Sequence, residues 1–369
     1  MTNKTHIGFF VSSLSELGGA IRVATSLANR MCEDYDVTII ERLPHTECAF
    51  PLDVRIQVVS LEIDDARFRG QFVSARKLLA NVLKENNINV LFGICVEESA
   101  MSILPCRAAK IPLVCCDHGA LINQLDDKTT TLLRRICARF TGYLVLLTNQ
   151  TAQDYERLFN TPKEKLFVIQ NWISNQMLND KNCDVSAKRI LWAGRLDPEK
   201  GIDLLVEIGK RVLPSHPDWI WDIYGTAVLD GNGFDLKTSI EEAGLEGRMR
   251  LCGTYEKTQD VFPNYSVGTL TSYREGLPLF LLEALAYAMP LVSFDVDTGP
   301  RDIIDHGKNG YLVKSYDCDE YASYLEKLIE SEELRRQFSV ASAVKAQDFS
   351  EEDIYQKWQA LIKLACKEH

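Results

Sequence analysis

The most constraining feature of this sequence of 369 residues is a regular alternation of short apolar runs with longer segments of helical periodicity. Such an alternation is typical of βα units, in which each strand of a parallel sheet is followed by a helix. The pattern pauses after Asn171 and starts again at Ile190. It therefore predicts two successive Rossmann-like α/β domains, and the length of the chain also favours two domains.

The apolar runs predict the positions of individual elements. In the first half the predicted strands are 7–11, 37–40, 90–94, 113–116 and 143–147, and the predicted helices are 21–31, 75–85 and 130–140. In the second half the predicted strands are 190–193, 221–224, 249–252, 268–271 and 290–294, and the predicted helices are 202–212, 279–287 and 319–331. We expect a first domain over 1–173, a second over 174–350 that begins with a polar linker at 174–188, and a C-terminal helix over 351–369 that crosses back to the first domain. Ligands of open parallel sheets bind outside the carboxyl ends of the strands, so the predicted site is a cleft between the two domains.

The cysteines and the apolar stretches exclude several classes of protein. The 11 cysteines form no C-x-x-C pair and no cluster with histidine at zinc spacing, so we expect reduced thiols and no metal site. The N-terminal apolar run at 7–11 has only the length of a strand, and no run approaches the roughly 18 apolar residues of a membrane helix. We therefore expect a cytoplasmic protein without a signal peptide or a transmembrane span.

The net charge of −11 lies entirely in the second half, because residues 1–172 hold 19 Lys and Arg against 19 Asp and Glu. An acidic chain without a dense basic stripe is a poor binder of nucleic acid. The neutral half nevertheless contains local groups of cations, namely Arg67, Arg69, Arg76, Lys77, Arg134, Arg135 and Arg139. These groups predict either ordinary solvated helix faces or peripheral contact with an anionic membrane.

Two turns after predicted strands contain glycines or cations suited to phosphate. Gly18 and Gly19 lie between the first strand and a helix, where free N–H groups and the helix dipole favour an anion. The absence of a G-x-G-x-x-G pattern there disfavours a dinucleotide-dependent dehydrogenase. Arg195 and Lys200 are five positions apart across a turn that opens a helix. They are either a clamp for a diphosphate leaving group or surface cations beside acidic neighbours.

A third motif contains two glutamates in different settings. Glu275 lies at a predicted strand-to-helix turn, next to the free amides of a helix N-terminus. Glu283 lies two helical turns further on an apolar face, where a carboxylate needs donors such as ribose hydroxyls. Their spacing of eight has no meaning by itself, because three other glutamate pairs in the chain share it.

Two further motifs lie at predicted strand ends. His118 follows Asp117 after the strand 113–116, and both a structural and a catalytic role remain open for it. The segment 298–300 is predicted to begin a helix, with Pro300 at a favoured first position. Asp295 and Asp297 have the letters of a D-x-D metal motif, but we interpret them as part of the turn before that helix.

The motifs, in this order, resemble those of the retaining glycosyltransferases of family 4, which have the B-type fold of two Rossmann-like domains facing across a cleft. The second half is similar to the family patterns G-R-L-x-x-x-K-G, S-x-x-E-G-x-x-x-x-x-L-E-A-x-A, G-P-x-E-I-I and D-G-x-N-G over nearly its whole length. The first half resembles the family only at 18–19, at 117–118 and in its strand rhythm. Asp302 stands where the family usually has Glu, and Ala288 and Met289 replace a small residue and glycine, but neither departure removes a ligand.

The resemblance implies metal-independent transfer of a hexose or N-acetylhexosamine from a UDP-sugar, with retention, to a hydroxyl of a glycan or lipid-linked glycan in bacterial surface polysaccharide synthesis. It implies a diphosphate clamp of Arg195 and Lys200, a carboxylate near the sugar at Glu275, and a ribose ligand at Glu283. The implied catalytic residues are His118, Glu275, Arg195 and Lys200, and the implied donor-binding residues are Gly18, Gly19, Arg195, Lys200, Gly276, Leu277, Pro278 and Glu283.

Two other functions on the same fold remain open. A sugar-nucleotide epimerase or hydrolase would act on the donor without any acceptor. A degenerate subunit would bind a sugar nucleotide and support an active partner.

Overall fold

The computed structural model describes residues 4–63, 68–180, 182–226 and 235–367. The chain forms two compact units, one of Met1–Gln170 together with Tyr355–His369 and one of Asn171–Ile354. Each unit contains one sheet, and all of its paired strands run parallel. The predicted fold class of two Rossmann-like α/β domains is confirmed.

The first unit has a seven-stranded sheet in the order β3-β2-β1-β4-β5-β6-β7. Its strands are β1 (His6–Val11), β2 (Asp36–Glu41), β3 (Gln57–Ser60), β4 (Val90–Ile94), β5 (Leu113–Asp117), β6 (Tyr143–Leu146) and β7 (Leu166–Val168). Its helices before the second unit are α1 (Gly19–Met31), α2 (Phe68–Glu85), α3 (Cys95–Ala109), α4 (Lys128–Phe140) and α5 (Asn149–Phe159). One apolar cluster joins α2 and α3 to the central strands, and another joins α4 and α5 to β5 and β6.

The second unit has a six-stranded sheet in the order β10-β9-β8-β11-β12-β13. Its strands are β8 (Arg189–Ala193), β9 (Ile220–Tyr224), β10 (Met249–Leu251), β11 (Val267–Leu270), β12 (Leu291–Phe294) and β13 (Gly310–Val313). Its helices are α6 (Asn175–Leu178), α7 (Ile202–Val212), α8 (Leu236–Glu242), α9 (Thr258–Val261), α10 (Leu279–Ala286), α11 (Pro300–Ile303), α12 (Cys318–Glu330) and α13 (Glu332–Ala346). Its core includes the fully buried side chains of Trp192 and Trp221.

The last helix, α14 (Glu351–Lys367), belongs to the first unit from Tyr355 onward. Tyr355 Oη donates to Asp34 Oδ2 at 2.7 Å, and the ring of Trp358 meets that of Phe92 edge-on at 5.5 Å between centroids. The C-terminal helix therefore packs on the first unit. Within the described ranges, none of the helices is long and apolar enough to cross a membrane.

The sequence predictions omit several elements, and two of them, α3 and β13, are missed for different physical reasons. The helix α3 packs against α2, α4 and the three strands β1, β4 and β5, and most of its side chains are buried. A helix that is buried on several sides lacks the one-sided periodicity that identifies amphipathic helices. The strand β13 has only four residues and begins at Gly310, where the turn composition of residues 307–310 overlaps its start.

The segment 174–188 is not a free linker, contrary to the sequence-based expectation. Within it, the backbone N–H of Cys183 donates to the carbonyl of Tyr287 at 2.8 Å, and that of Asp184 donates to the carbonyl of Pro263 at 3.0 Å. Because these hydrogen bonds bind the segment to the second unit, its polar composition reflects a surface layer of that unit.

The cations of the first half have different surroundings. Arg134 is only 1% exposed and forms an ion pair with Asp117, so its interpretation as a surface cation is wrong. Arg135 and Arg139 are exposed on α4. On α2, Arg76 and Lys77 are exposed as well, whereas Arg67 and the side chain of Arg69 lie outside the described residues.

Candidate functional site

Loops after three neighbouring strands of the second unit carry most of the predicted site residues. The strands β8, β11 and β12 are adjacent in the sheet, and the chain order reverses between β8 and β11. Ligands of open parallel sheets bind at such a switch point, outside the carboxyl ends of the strands. Arg195 and Lys200 follow β8, and Glu275 follows β11. The topology therefore places these three residues at the favoured edge of the sheet.

Lys200 and Glu275 are in direct contact at this switch point. Lys200 Nζ donates to Glu275 Oε1 at 2.6 Å, and Ser272 Oγ donates to the same oxygen at 2.6 Å. Thr298, which follows β12, donates from Oγ1 to the carbonyl oxygen of Glu275 at 2.6 Å. Both the carboxylate and the backbone of Glu275 are thus fixed by neighbouring loops. Ser272 and Thr298 lie within the sequence motifs, but no pattern predicted their contacts with Glu275.

The backbone around Lys200 is equally constrained. Thr271 Oγ1 donates to the carbonyl oxygen of Lys200 at 3.0 Å. Gly201 has a φ of +62°, and a Cβ there would lie 2.0 Å from the carbonyl oxygen of Thr271. Glycine is required at this close approach, which explains the glycine that ends the Lys200 turn.

Arg195 is held by carboxylates of its own turn and not by Glu275. Its Nη2 lies 3.0 Å from Asp197 Oδ2 and 3.7 Å from Glu199 Oε2. Arg274 also pairs with Glu199. Burial would raise the pKa of Glu199, but the hydrogen bond and the charge of Arg274 outweigh it, and the pKa lies below its usual value. A ligand anion has to compete with these carboxylates for the half-exposed guanidinium of Arg195.

The turn before α10 provides backbone donors. A proline nitrogen carries no hydrogen, so the amides available for a ligand are those of Gly276 and Leu277, while Pro278 is the N-cap of α10. Gly299 has a φ of +92°, and a Cβ there would lie 2.7 Å from the carbonyl oxygen of Gly276. The glycine at 299 therefore allows the loop after β12 to pack closely against this turn.

Glu283 lies on α10 and is 5% exposed. Tyr255 Oη donates to Glu283 Oε2 at 3.4 Å. The ring of Tyr255 also meets the rings of Tyr224 and Phe262 edge-on. No sequence signal pointed to Tyr255, because its contact with Glu283 joins residues that are 28 positions apart.

Gly18 is the N-cap of α1 in the first unit, and Gly19 is the first residue of that helix. The φ of Gly18 is −126°, which any residue can adopt, and a Cβ there would meet no atom within 4 Å. Nothing described in the first unit therefore requires a glycine at position 18. The open space next to the helix N-terminus is what the approach of a phosphate to the backbone requires.

His118 lies at the carboxyl end of β5, between Asp117 and Gly119. Desolvation lowers the pKa of His118 to about 4, although the negative charge of Asp117 acts in the opposite direction. The imidazole is therefore neutral at neutral pH and can offer a hydrogen bond but no fixed charge.

Asp295 and Asp297, the two carboxylates of the D-x-D sequence, do not belong to any cluster of described residues that resembles a metal centre. Arg301 Nε donates to Asp295 Oδ1 at 2.9 Å. Among the residues that the structure describes, no group of three His, Cys, Asp or Glu side chains is arranged to hold a metal ion.

Two family models match successive parts of the chain. The model described as "Glycosyltransferase Family 4" matches residues 17–176, and the model described as "Glycosyl transferases group 1" matches residues 175–343. The second match contains the Lys200–Glu275 pair, and the first contains Gly18 and His118.

Relatives of similar length carry names from bacterial glycan synthesis. "Amylovoran biosynthesis glycosyltransferase AmsD" of Erwinia amylovora is 27% identical over 361 residues, which cover 95% of this chain and 98% of the relative. A Campylobacter jejuni protein named "GalNAc-alpha-(1->4)-GalNAc-alpha-(1->3)-diNAcBac-PP-undecaprenol alpha-1,4-N-acetyl-D-galactosaminyltransferase" is 25% identical over 374 residues, covering 96% of this chain and 98% of that protein.

A solved structure shares the fold at low sequence identity. The structure of HepE from Anabaena in complex with UDP and glucose has a TM-score of 0.81 and 18% identity, and the match covers 97% of this chain and 99% of HepE.

Proposed function

This chain belongs to the glycosyltransferases with the B-type fold, and on that premise we propose that it transfers a hexose or N-acetylhexosamine from a UDP-sugar with retention at the anomeric carbon. The acceptor is a hydroxyl of a glycan or a lipid-linked glycan in bacterial surface polysaccharide synthesis. The observation that carries this proposal is the Lys200–Glu275 pair at the switch point of the second sheet.

The proposed chemistry follows from the charges at this edge. The bond between the anomeric carbon and the diphosphate oxygen breaks, the acceptor hydroxyl attacks on the same face within an ion pair, and its proton passes to the leaving diphosphate. Negative charge develops on the leaving diphosphate, and Arg195 and Lys200 stabilise it without a metal ion. Glu275 holds the Lys200 ammonium at 2.6 Å, so the cation is oriented before the donor binds.

The remaining residues have roles in holding the donor. Glu283 accepts hydrogen bonds from the ribose hydroxyls, and the amides of Gly276 and Leu277 donate to the sugar or the phosphate. Gly18 and Gly19 approach the phosphate with their backbone, and His118 orients the sugar and stabilises charge. Two similar proteins support the donor and the acceptor. HepE was solved with UDP and glucose, and the name of the Campylobacter protein contains an undecaprenol-linked glycan.

A lipid-linked acceptor implies peripheral contact of the first unit with an anionic membrane. On α4, Leu132, Arg135 and Arg139 are exposed at spacings that place them on one face. Arg107 of α3 lies over the ring of Phe140, with its guanidinium carbon 5.0 Å from the ring centroid. We call these five residues the α3–α4 patch. Exposed cations beside exposed apolar side chains suit the interface of an anionic bilayer.

The test of the proposed function compares Lys200→Ala with Lys210→Ala on the same scaffold. Lys210 is half exposed on α7 and pairs with Glu207, so it is a matched control without a proposed role. Lys200→Ala should lower the turnover of a UDP-sugar by about ten- to a thousandfold, because a contact that strengthens as the leaving group charges is lost. Lys210→Ala should turn over at the wild-type rate. Near-normal turnover of Lys200→Ala would refute the clamp.

The same assay separates the transferase from its rivals. Sugar transfer requires an acceptor, whereas an epimerase or a hydrolase consumes the UDP-sugar alone. A degenerate subunit would bind UDP in calorimetry and show no turnover in either condition.

A further inference from the structure

Asp117, at the carboxyl end of β5, is the centre of a buried group of polar side chains. Its Oδ2 accepts hydrogen bonds from Arg134 Nε at 2.8 Å and from Tyr155 Oη at 2.7 Å. Its Oδ1 accepts one from the backbone N–H of Gly119 at 2.9 Å. Arg134 comes from α4 and Tyr155 from α5. Two helices therefore hold one carboxylate directly beside His118.

The stability of the fold does not account for this group. Arg134 is almost fully buried, and within the described part of the chain its Nη1 has no hydrogen-bond partner. A buried ion pair contributes little to stability compared with well-packed apolar residues, and an unpaired buried donor is destabilising. Apolar side chains in place of both Arg134 and Asp117 would avoid both penalties, whereas removing Arg134 alone would leave a buried, uncompensated carboxylate, so the pair as a whole requires another explanation.

The arginine supports the turn that carries His118. A Cβ at Gly119 would lie 2.4 Å from Arg134 Nη2 and 2.8 Å from Gln124 Oε1. Arg134 Nη2 also donates to that Gln124 oxygen at 2.6 Å. Gly119 thus packs directly on the guanidinium group, and its amide is bonded to Asp117. His118 is held between two residues that are both anchored to the same buried group.

Charge adds to this constraint. Burial alone would raise the pKa of Asp117, but the charge and the hydrogen bonds of Arg134 outweigh it and hold the pKa below its usual value. The carboxylate therefore stays ionised and keeps its strong hydrogen bonds to the Gly119 amide and to Tyr155.

We propose that Arg134 and Tyr155 are positioning residues for glycosyl transfer, which act through Asp117 to set the orientation of His118. The proposal rests on the proposed function, in which His118 contacts the donor sugar. Tyr155 is fully buried in an apolar cluster, and Arg134 is buried beneath the 117–119 turn. Both residues therefore act on the reaction only through the turn.

The test is a set of double-mutant cycles. Tyr155→Phe removes one hydroxyl and keeps the ring, so it is the variant that retains the packing of α5, while Arg134→Met removes the ion pair. In the wild-type background, Tyr155→Phe should lower kcat by about three- to tenfold and Arg134→Met by about tenfold or more, because small misplacements of a reacting group are costly. The Kd for UDP, measured by calorimetry, should stay unchanged in both variants.

The His118→Ala background shows whether Arg134 and Tyr155 act through His118. In His118→Ala, the same two changes should lower kcat by less than about twofold, because the side chain that they orient is gone. Equal fold losses in both backgrounds would overturn the proposal. Arg335→Met is the matched control: Arg335 is another buried arginine, bonded to three backbone carbonyls of the second unit, and its replacement should leave the kcat of the folded protein unchanged.

A measurement without activity separates this proposal from the proposed function. Amide hydrogen exchange over residues 117–125 should become faster in both Tyr155→Phe and Arg134→Met, while exchange in the second unit stays the same. Unchanged exchange over 117–125 in both variants would overturn the proposal even if the enzyme transfers sugar. A wild-type protein that transfers no sugar from any UDP-sugar would instead refute the proposed function, and the exchange result would still show whether the group orders the turn.

Discussion

At the scale of single residues, burial decides the charge of His118. Its pKa is about 4 in the folded protein, against an ordinary value of 6.5. Between these two pH values the unfolded chain binds a proton at this histidine and the folded chain does not, so stability rises with pH through this window. The stability that the neutral His118 ring contributes to the folded protein is fully present above about pH 6.5 and is lost as the pH falls towards 4.

This sign gives a prediction for His118→Gln. Between pH 7.5 and pH 5.5 the free energy of unfolding of the wild type should fall by about 1 kcal/mol more than that of the variant, because glutamine does not titrate. Urea unfolding of both proteins at the two pH values measures the difference. Equal losses would mean that the ring titrates as it does in water.

At the scale of an element, the N-terminus of α1 is a helix end without a side-chain cap. Its N-cap, Gly18, makes no side-chain hydrogen bond, and the first turn contains no acidic residue. The free N–H groups and the positive end of the helix dipole are therefore not neutralised locally. This contrasts with α4, where Asp127 accepts hydrogen bonds from the amides of Thr129 and Thr130.

Gly18→Ala tests whether this open helix end serves the donor. The added methyl group meets no neighbour and the φ is ordinary, so we expect the stability to change by less than about 1 kcal/mol. The kcat/KM for the UDP-sugar should fall by about tenfold or more, because the methyl group occupies the approach to the backbone. Thermal unfolding and steady-state kinetics measure the two effects.

Two other glycines provide the controls for this variant. A Cβ at Gly142 would make an ordinary contact of 3.5 Å with the carbonyl oxygen of Leu113, so Gly142→Ala should change neither stability nor kinetics. Gly201→Ala should lower the Tm clearly, because that glycine has a positive φ and no room for a Cβ. Unchanged kinetics in Gly18→Ala would contradict the proposal that the N-terminus of α1 binds the phosphate of the donor.

At the scale of the whole molecule, the charge is divided unequally along the chain. Residues 1–172 are formally neutral, and the rest carries the full net charge of −11. Because an anionic bilayer repels acidic surfaces, the membrane proposal assigns the contact to the α3–α4 patch of the first unit. Arg134 is buried and is not part of this surface, so the cations of the patch are Arg107, Arg135 and Arg139.

Binding to vesicles tests the membrane proposal. The protein should co-sediment with anionic liposomes at low salt, leave them at high salt, and bind neutral vesicles weakly, because each cation contributes about 1 kcal/mol and is screened by salt. Replacing Arg135 and Arg139 by serine should weaken this binding without changing the affinity for UDP. The same replacement of Lys210 and Arg336, two exposed cations of the second unit, should have no effect. If the protein does not co-sediment with anionic liposomes even at low salt, the proposed membrane role of the α3–α4 patch is wrong.

The sequence by itself determined the fold class and predicted the candidate site residues of the second unit. Apolar periodicity is a local property, so strands such as β4 and helices such as α7 coincide with their predictions. Lys200 and Glu275 could be selected because each lies in a motif at the end of a strand, and parallel strands end at one edge of the sheet.

Only the tertiary structure decided which polar groups meet and which are buried. Lys200 pairs with a residue 75 positions away, Arg134 with one 17 positions away, and Tyr155 with one 38 positions away. No local pattern encodes such pairs, because burial and hydrogen bonding depend on what packs from other elements. For that reason, a cation that the sequence placed on the surface is the buried support of Asp117 in the folded protein.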